Sequence, residues 1–192
     1  MSAIPITSQQ MTLEEYLEFD YNAEGRYEYF DGEVFEMGAS PEHSEIQSNL
    51  ISILKSKVTS QGCKVYTSEL GVKVPTLLPY RYPDLSVVCD KAIFEEITGL
   101  KRLVNPLLLV EVLSGSTEKF DRGEKFSAYK SIESFREYLL VAQYKMFITL
   151  FTKYNEKFWF QSEYFAGETL KLESLNIELS VDEVYQGIIF ES

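Results

Sequence analysis

The segment "LLLVEVLSGST" (residues 107–117) carries one acid inside an otherwise apolar run. The run predicts a central β-strand that is buried on both faces of its sheet. Side chains alternate along a strand, so Glu111 shares one face with Leu109 and Leu113. An ionised carboxylate on such a face is costly unless a partner compensates its charge. We therefore expect a lysine, an arginine or a metal ion beside Glu111.

A second acid stands at the start of another apolar segment, "RYPDLSVVCD", where Asp84 follows Pro83. If the two strands are neighbours, Asp84 and Glu111 converge near one edge of the sheet. Two such carboxylates repel unless a proton or a cation lies between them, and oxygen ligands favour Mg²⁺, Mn²⁺ or Ca²⁺. Two simpler alternatives remain open. Asp84 could be a turn residue bonded to its own backbone, and Glu111 could reach water or pair with Arg136.

The surrounding patterns predict a mixed α/β (α+β) fold, with a central β-sheet flanked by helices. Thr12 and Glu15 form a capping box for a first helix, and Asp31-Gly32 is the turn of an N-terminal hairpin. Ser40 caps a long amphipathic helix. Residues 136–165 contain three strands rich in aromatic and β-branched residues, which predict a C-terminal β-meander. A short closing helix follows near residue 181.

The composition is that of a globular protein, with 192 residues, 45% of them hydrophobic and 14% aromatic. No apolar run reaches about 18 residues and no secretory signal begins the chain, so we expect no membrane association and a cytoplasmic location. Cys63 and Cys89 form no framework and no CxxC pattern. We predict that both are free thiols in a reducing cytosol.

The net charge of −12 argues against unspecific binding to nucleic acid. The acid excess lies in the two ends of the chain, whereas residues 46–150, which include Glu111, carry slightly more bases than acids. A solvated acidic periphery explains this distribution.

Three segments, "PDLSVVCD", "NPLLLVEVLSGSTEKFDRGEKFSAYK" and "FREYLLVA", resemble the Uma-two family, a large group of bacterial endonucleases. That family belongs to the PD-(D/E)XK superfamily, which has the restriction-endonuclease-like fold. The N-terminal "YEYFDGEVFEM" and "SPEHSEI" also resemble family features, so the resemblance spans about residues 12–190. The matching positions are Pro83-Asp84, Glu111, Ser114, Ser116-Thr117, Asp121, Lys125, Tyr129 and Glu137-Tyr138.

The resemblance implies a single restriction-endonuclease-like domain over residues 1–192. Its core would span about residues 40–145, with the N-terminal helix and hairpin and the C-terminal strands packed on it. Four positions depart from the usual patterns. Gly115 replaces a proline, Leu139 replaces a tryptophan, the aspartate after "LV" is absent from "LLVAQ", and Leu113 stands where the superfamily motif has a lysine. We expect Lys125 to replace that lysine, with Arg122 as its competitor. The alternative is an ordinary Lys125–Asp121 ion pair on a solvated surface.

By this resemblance the chain is a Mg²⁺-dependent (or Mn²⁺-dependent) endonuclease that hydrolyses phosphodiester bonds of DNA. Asp84 and Glu111 would hold the metal, with the backbone carbonyl of Val112 as a further ligand. Lys125 would stabilise charge in the transition state, and His43 would face the metal site. His43 could instead be a half-buried residue at a helix start.

Two other functions stay open at this point. The acidic charge favours a catalytically silent nuclease fold that serves as a binding or regulatory module. A glycoside hydrolase with paired carboxylates would need an open, aromatic-lined cleft. Two cuts in duplex DNA suit a symmetric dimer, so a homodimer is expected. Glu69 is a further acid that could reach the site.

Overall fold

The structure is a computed structural model that describes residues 10–25, 27–30, 32–36, 40–76, 80–115 and 117–190. Its centre is a six-stranded mixed sheet. The six strands are β3 (Lys64–Thr67), β6 (Leu85–Val88), β9 (Leu108–Leu113), β10 (Glu137–Ala142), β11 (Phe147–Lys153) and β12 (Trp159–Phe165). They lie in the order β12-β11-β10-β9-β6-β3. β9 and β10 are parallel, and the other neighbours in this sheet are antiparallel.

Three smaller sheets surround the central one. The N-terminal hairpin consists of β1 (Tyr27–Phe30) and β2 (Glu33–Glu36). A four-stranded sheet in the order β5-β4-β8-β7 contains β4 (Val72–Lys73), β5 (Tyr80–Arg81), β7 (Phe94–Ile97) and β8 (Leu100–Leu103). A second hairpin consists of β13 (Thr169–Leu172) and β14 (Ile177–Ser180).

Two longer helices precede the central strands: α1 (Leu13–Asn22) and α2 (Pro41–Val58). After β9 the chain forms one helical segment made of α3 (Glu118–Phe120), a π-helical turn (Asp121–Lys125) and α4 (Phe126–Tyr129). The closing helix α5 spans Val181–Val184. No helix in the described part of the chain is both long and apolar enough to cross a membrane.

The strand β9 is buried on both faces, as its composition predicts. Leu108, Val110 and Val112 join a core that includes the buried side of α2. Leu109 and Leu113 join a second core that includes α4. Glu111 lies on the same face of β9 as Leu109 and Leu113, so its side chain points toward the core that includes α4.

The helices and strands of the structure agree with the local sequence signals. Thr12 caps α1 with the full capping box, and Ser40 caps α2, with Pro41 in its first turn. The N-terminal hairpin and the β10-β11-β12 meander are confirmed. The turn residue Asp31 and the family match Ser116 lie outside the described residues. The fold class is confirmed, and the extent of the domain stays a prediction.

Two pairs of strands were missed, β7-β8 and β13-β14. A tight turn with positive φ values joins the strands of each pair: Thr98 and Gly99 have φ values of 51° and 80°, and Asn176 has a φ of 50°. Positive φ favours glycine and asparagine, which mark tight turns. Four-residue strands next to such turns give little periodicity to recognise.

The prediction that Cys63 and Cys89 are free thiols is wrong, because they form a disulfide with a Cα–Cα distance of 3.9 Å. β3 and β6 are antiparallel neighbours, and Lys64 lies opposite Val88. One step beyond that pair, Cys63 therefore lies opposite Cys89. Their separation of 26 residues along the chain carries no sign of this register.

Glu137 is fully buried at the start of β10 and anchors the second hairpin. Its carboxylate accepts hydrogen bonds from the backbone N–H groups of Glu173 (2.9 Å) and Ser174 (3.1 Å) and from the Ser174 hydroxyl. Glu173 and Ser174 lie between β13 and β14. The match of Glu137 to the family pattern therefore has a structural reason.

We expect Glu137→Ala to lower the free energy of unfolding by roughly 2 to 4 kcal/mol, because it leaves two backbone donors without their acceptor. Chemical denaturation of wild type and variant measures the difference. Glu133→Ala, an exposed acid four residues earlier, is the control and should leave the stability nearly unchanged. Equal midpoints for all three proteins would contradict the anchoring role.

Candidate active site

Asp84 and Glu111 meet because of the register between β6 and β9. Leu85 lies opposite Val110 in this antiparallel pair, so the next step places Asp84 opposite Glu111. Directly opposite residues project from the same face of an antiparallel pair. Asp84 is 6% exposed and Glu111 3% exposed. The two acids meet just before the start of β6, between two central strands and away from the lateral edges of the sheet.

The Asp84 side chain is held by groups from two other elements. Its Oδ2 accepts a hydrogen bond from the backbone N–H of Val112 at 2.7 Å. Its Oδ1 lies 3.0 Å from Nε2 of His43, in the first turn of α2. Gln47, one turn later, donates to the backbone carbonyl of Asp84 at 3.1 Å. Asp84 thus links α2 to β9. A turn residue bonded only to its own backbone would not make these contacts.

Glu111 has a lysine partner, as its burial demands. Its Oε1 lies 3.1 Å from Nζ of Lys125 and accepts a hydrogen bond from the Tyr129 hydroxyl at 3.0 Å. Its Oε2 lies 3.4 Å from the backbone nitrogen of Asp84. Arg136, the alternative partner, donates instead to the backbone carbonyls of Glu133 and Phe135.

Lys125 brings three carboxylates together. Besides Glu111, its ammonium contacts Oε1 of Glu28 at 2.8 Å and Oδ1 of Asp121 at 3.6 Å. It also donates to the backbone carbonyl of Tyr82 at 3.1 Å. Lys125 is only 2% exposed, so the alternative of a solvated Lys125–Asp121 pair is wrong.

Arg122, the competitor of Lys125, turns elsewhere. Its Nε pairs with Glu118 at 2.8 Å, and its Nη1 donates to the Thr149 hydroxyl at 3.2 Å. The π-helical turn of residues 121–125 contains both cations, and of the two only Lys125 contacts Glu111.

The cluster carries more acid than base, because Glu28, Asp84, Glu111 and Asp121 surround Lys125 and His43. Burial raises the pKa of Glu111 well above its usual range. The Lys125 charge opposes this shift, whereas the nearby acids Asp121, Asp84 and Glu28 increase it. Burial also raises the pKa of Asp121, to about 6. The Lys125 charge opposes this shift, and the charges of Glu28 and Asp84 add to it.

The two bases of the cluster hold their protons more firmly than usual. Burial lowers the pKa of Lys125, but the charges of Glu111, Glu28 and Asp121 outweigh it and raise the pKa well above its ordinary value. For His43, burial likewise lowers the pKa, and the hydrogen bond and charge of Asp84 outweigh it. We therefore assign the proton of the Glu111–Lys125 pair to Lys125, which contacts two further carboxylates.

Sequence reasoning missed Glu28 as a member of this cluster. Its only signal was the "YEYFDGE" hairpin, whose contacts with the rest of the chain no local pattern reveals. Glu69 is exposed and lies between β3 and β4. The Val112 backbone N–H bonds to Asp84, while the role of its carbonyl as a metal ligand stays a prediction.

The donor set suits a hard divalent cation in kind. Asp84 and Glu111 offer carboxylate oxygens side by side, and the cluster has excess negative charge. Mg²⁺ typically takes one or two protein carboxylates and completes its shell with water and substrate phosphate. Within the described ranges, no three His, Cys, Asp or Glu side chains form a metal-binding group. The residues therefore fit a cation whose remaining ligands come from outside the chain.

Comparisons with known proteins agree with this architecture. The family model Uma2, described as "Putative restriction endonuclease", matches residues 13–182. "Uncharacterized protein slr1290" of Synechocystis sp. is 33% identical over 182 residues, which cover 94% of each chain. "Uncharacterized protein sll1609" of the same organism is 29% identical over 168 residues, covering 87% of this chain and 94% of the relative.

A solved structure shares the fold. The crystal structure of a "putative nuclease belonging to DUF820" from Anabaena variabilis superposes with a TM-score of 0.71 at 19% identity. The match covers 91% of this chain and 97% of the other. At this identity the similarity supports the fold and says nothing of individual side chains.

The buried Asp121 carboxyl makes stability depend on pH. Its pKa in the folded protein, about 6, exceeds the ordinary value of 3.8, so its contribution is favourable below about pH 4 and is lost as pH rises through 6. We expect Asp121→Asn to gain roughly 2 kcal/mol relative to wild type between pH 4 and pH 7.5. Chemical denaturation at several pH values measures this difference.

Glu124→Gln is the matched control for this prediction, since Glu124 is exposed and lies three residues away. Its difference from wild type should not vary with pH. A pH-independent difference between Asp121→Asn and wild type would mean that the Asp121 carboxyl is not desolvated in the folded protein.

Proposed function

Because the chain belongs to the Uma2 restriction-endonuclease family, we propose that it is a nuclease that hydrolyses DNA phosphodiester bonds with the help of a divalent metal ion. One observation carries the proposal. Two buried carboxylates, Asp84 and Glu111, stand opposite each other at a strand end, and a buried lysine contacts the second. Such a combination is costly for folding, and it suits a reaction in which negative charge develops on phosphoryl oxygens.

In this proposal Asp84 and Glu111 hold Mg²⁺ or Mn²⁺, and the backbone carbonyl of Val112 is a further candidate ligand. When bound, the ion supplies positive charge to the phosphate and a water of lowered pKa. The chain's own groups orient the ligands. His43 and the Val112 N–H fix the Asp84 carboxylate, while Tyr129 and Lys125 fix that of Glu111. Orientation of this kind tunes metal sites generally.

Lys125 has a second role in the proposal. Its ammonium lies beside Glu111 in a water-poor environment, where a charge acts more strongly than in water. There it can stabilise negative charge on the phosphate in the transition state. It reaches this place from the helical segment after β9, because Leu113 occupies the position of the usual lysine.

One observation favours the alternative, a nuclease fold that binds without turnover. Both oxygens of Asp84 and both oxygens of Glu111 already accept hydrogen bonds or ion pairs from the protein. A metal ion must compete with these donors. The net charge of −12 also weakens attraction to DNA. Measured activity separates the two functions.

We expect wild type to relax and linearise supercoiled plasmid in the presence of Mg²⁺ or Mn²⁺, and Glu111→Gln and Asp84→Asn to lose at least roughly a hundredfold in rate. Both changes remove a charged metal ligand and keep the shape of the side chain. Gel analysis of timed reactions gives the rates.

Glu124→Gln, which removes an exposed acid near the site, is the control and should cleave like wild type. Nuclease activity that all four proteins share would indicate a contaminant and contradict the assignment. Wild type that is folded, binds metal and leaves the plasmid intact would favour the silent module.

Binding of the metal should stabilise the folded protein. At a Mg²⁺ or Mn²⁺ concentration ten times its dissociation constant, mass action gives about 1.4 kcal/mol, or roughly 3 to 6 °C in melting temperature. Scanning calorimetry with and without metal measures the shift. Asp84→Asn should abolish most of it. A shift of the same size in Asp84→Asn would place metal binding elsewhere.

A further inference from the structure

A DNA phosphate that approaches this site meets an electrostatic problem. Four carboxylates stand near the place where the phosphate must bind, and the Lys125 charge is already balanced by Glu28, Glu111 and Asp121. A metal ion would neutralise only part of the excess. Nucleic-acid binding depends on cations that contact backbone phosphates, so a further cation beside the site would favour the approach of a phosphate.

The alternation of side chains along β5 directs Arg81 toward the candidate site. In β1, Tyr27 and Tyr29 pack on an aromatic core, and Glu28 between them contacts Lys125. In β5 and the residue after it, Tyr80 and Tyr82 belong to the same aromatic core, and Arg81 lies between them. Successive side chains of a strand point to opposite faces. The Arg81 side chain therefore points away from the aromatic core, as the Glu28 side chain does.

Two observations indicate that Arg81 lies near the site. Arg81 and Glu28 line the same narrow gap, together with the flanking tyrosines. The residue that follows Arg81 is Tyr82, whose carbonyl accepts the hydrogen bond from Lys125. The guanidinium is thus carried by the same short segment that contacts the catalytic lysine candidate.

The fold uses the guanidinium of Arg81 only in part. Its Nη1 donates to the carbonyl of the neighbouring Tyr80 at 3.3 Å, and its buried Nε has no hydrogen-bond partner. Among the described residues, no carboxylate pairs with it. Arg102 and Arg122, by contrast, pair with Asp20 and Glu118. A partly buried arginine with unused donors suits an anionic ligand from outside the chain.

We propose that Arg81 binds a backbone phosphate of the DNA next to the phosphate that is cleaved, an inference that rests on the proposed nuclease function. The planar fork of a guanidinium donates two parallel hydrogen bonds to phosphate oxygens, which fixes the position of the strand as well as adding affinity. The contact is to the sugar-phosphate backbone and carries no sequence preference.

Binding of a fluorescently labelled DNA duplex, followed by anisotropy in EDTA over a range of salt concentrations, tests this role without cleavage. Arg81→Ala should weaken binding roughly tenfold and lower the slope of log K against log salt by about 1. Arg81→Lys should keep the slope and recover part of the affinity, because charge returns without the fork. Lys101→Ala, an exposed cation on the same small sheet, should change neither value.

An unchanged slope in Arg81→Ala, or an equal effect of Lys101→Ala, overturns the inference, as does the absence of duplex binding by wild type. The plasmid assay keeps this result separate from the proposed function. If wild type cleaves and Arg81→Ala binds as wild type does, only the role of Arg81 fails. If Arg81→Ala weakens binding and wild type never cleaves, the phosphate contact stands and the nuclease proposal fails.

Discussion

The ion pair between Glu111 and Lys125 is the contact around which this structure is arranged. Glu111 lies in the middle of a strand that is apolar on both faces, and Lys125 is as deeply buried. Neither charge is tolerable there without the other. The helical segment after β9 must therefore pack where its π-helical turn presents Lys125 to the sheet, and Tyr129 one turn later completes the hydrogen bonding of Glu111.

The same pair leaves an imbalance that ordinary folding would avoid. Lys125 contacts three carboxylates, and Asp84 lies beside them with His43 as its basic partner. Burial and mutual repulsion raise the pKa of both Glu111 and Asp121. Functional sites commonly sacrifice stability in this way. Here the arrangement concentrates negative charge around a buried lysine, as the proposed metal site requires.

The N-terminal part of the chain contributes to the site through its aromatic core. Tyr80 and Tyr82 donate hydrogen bonds to the buried Asp20 of α1, and Arg102 stacks on both rings. This network fixes β5 against α1 and the hairpin. Glu28, which alternates with the hairpin tyrosines, then contacts Lys125, and the carbonyl of Tyr82 accepts a hydrogen bond from the same ammonium. The small N-terminal elements thus add to a site whose two central acids, Asp84 and Glu111, come from the start of β6 and from β9.

Local signals in the sequence were enough to predict the capped helices α1 and α2, the apolar strand β9, and the need of Asp84 and Glu111 for a partner. The identity of those partners depends on the tertiary fold. Glu28 reaches Lys125 across 97 positions of the chain, and Cys63 meets Cys89 through the register of β3 and β6. Local periodicity and capping reflect neighbours within one turn or strand. Strand register and the packing of distant elements depend on the whole core, which no short segment specifies.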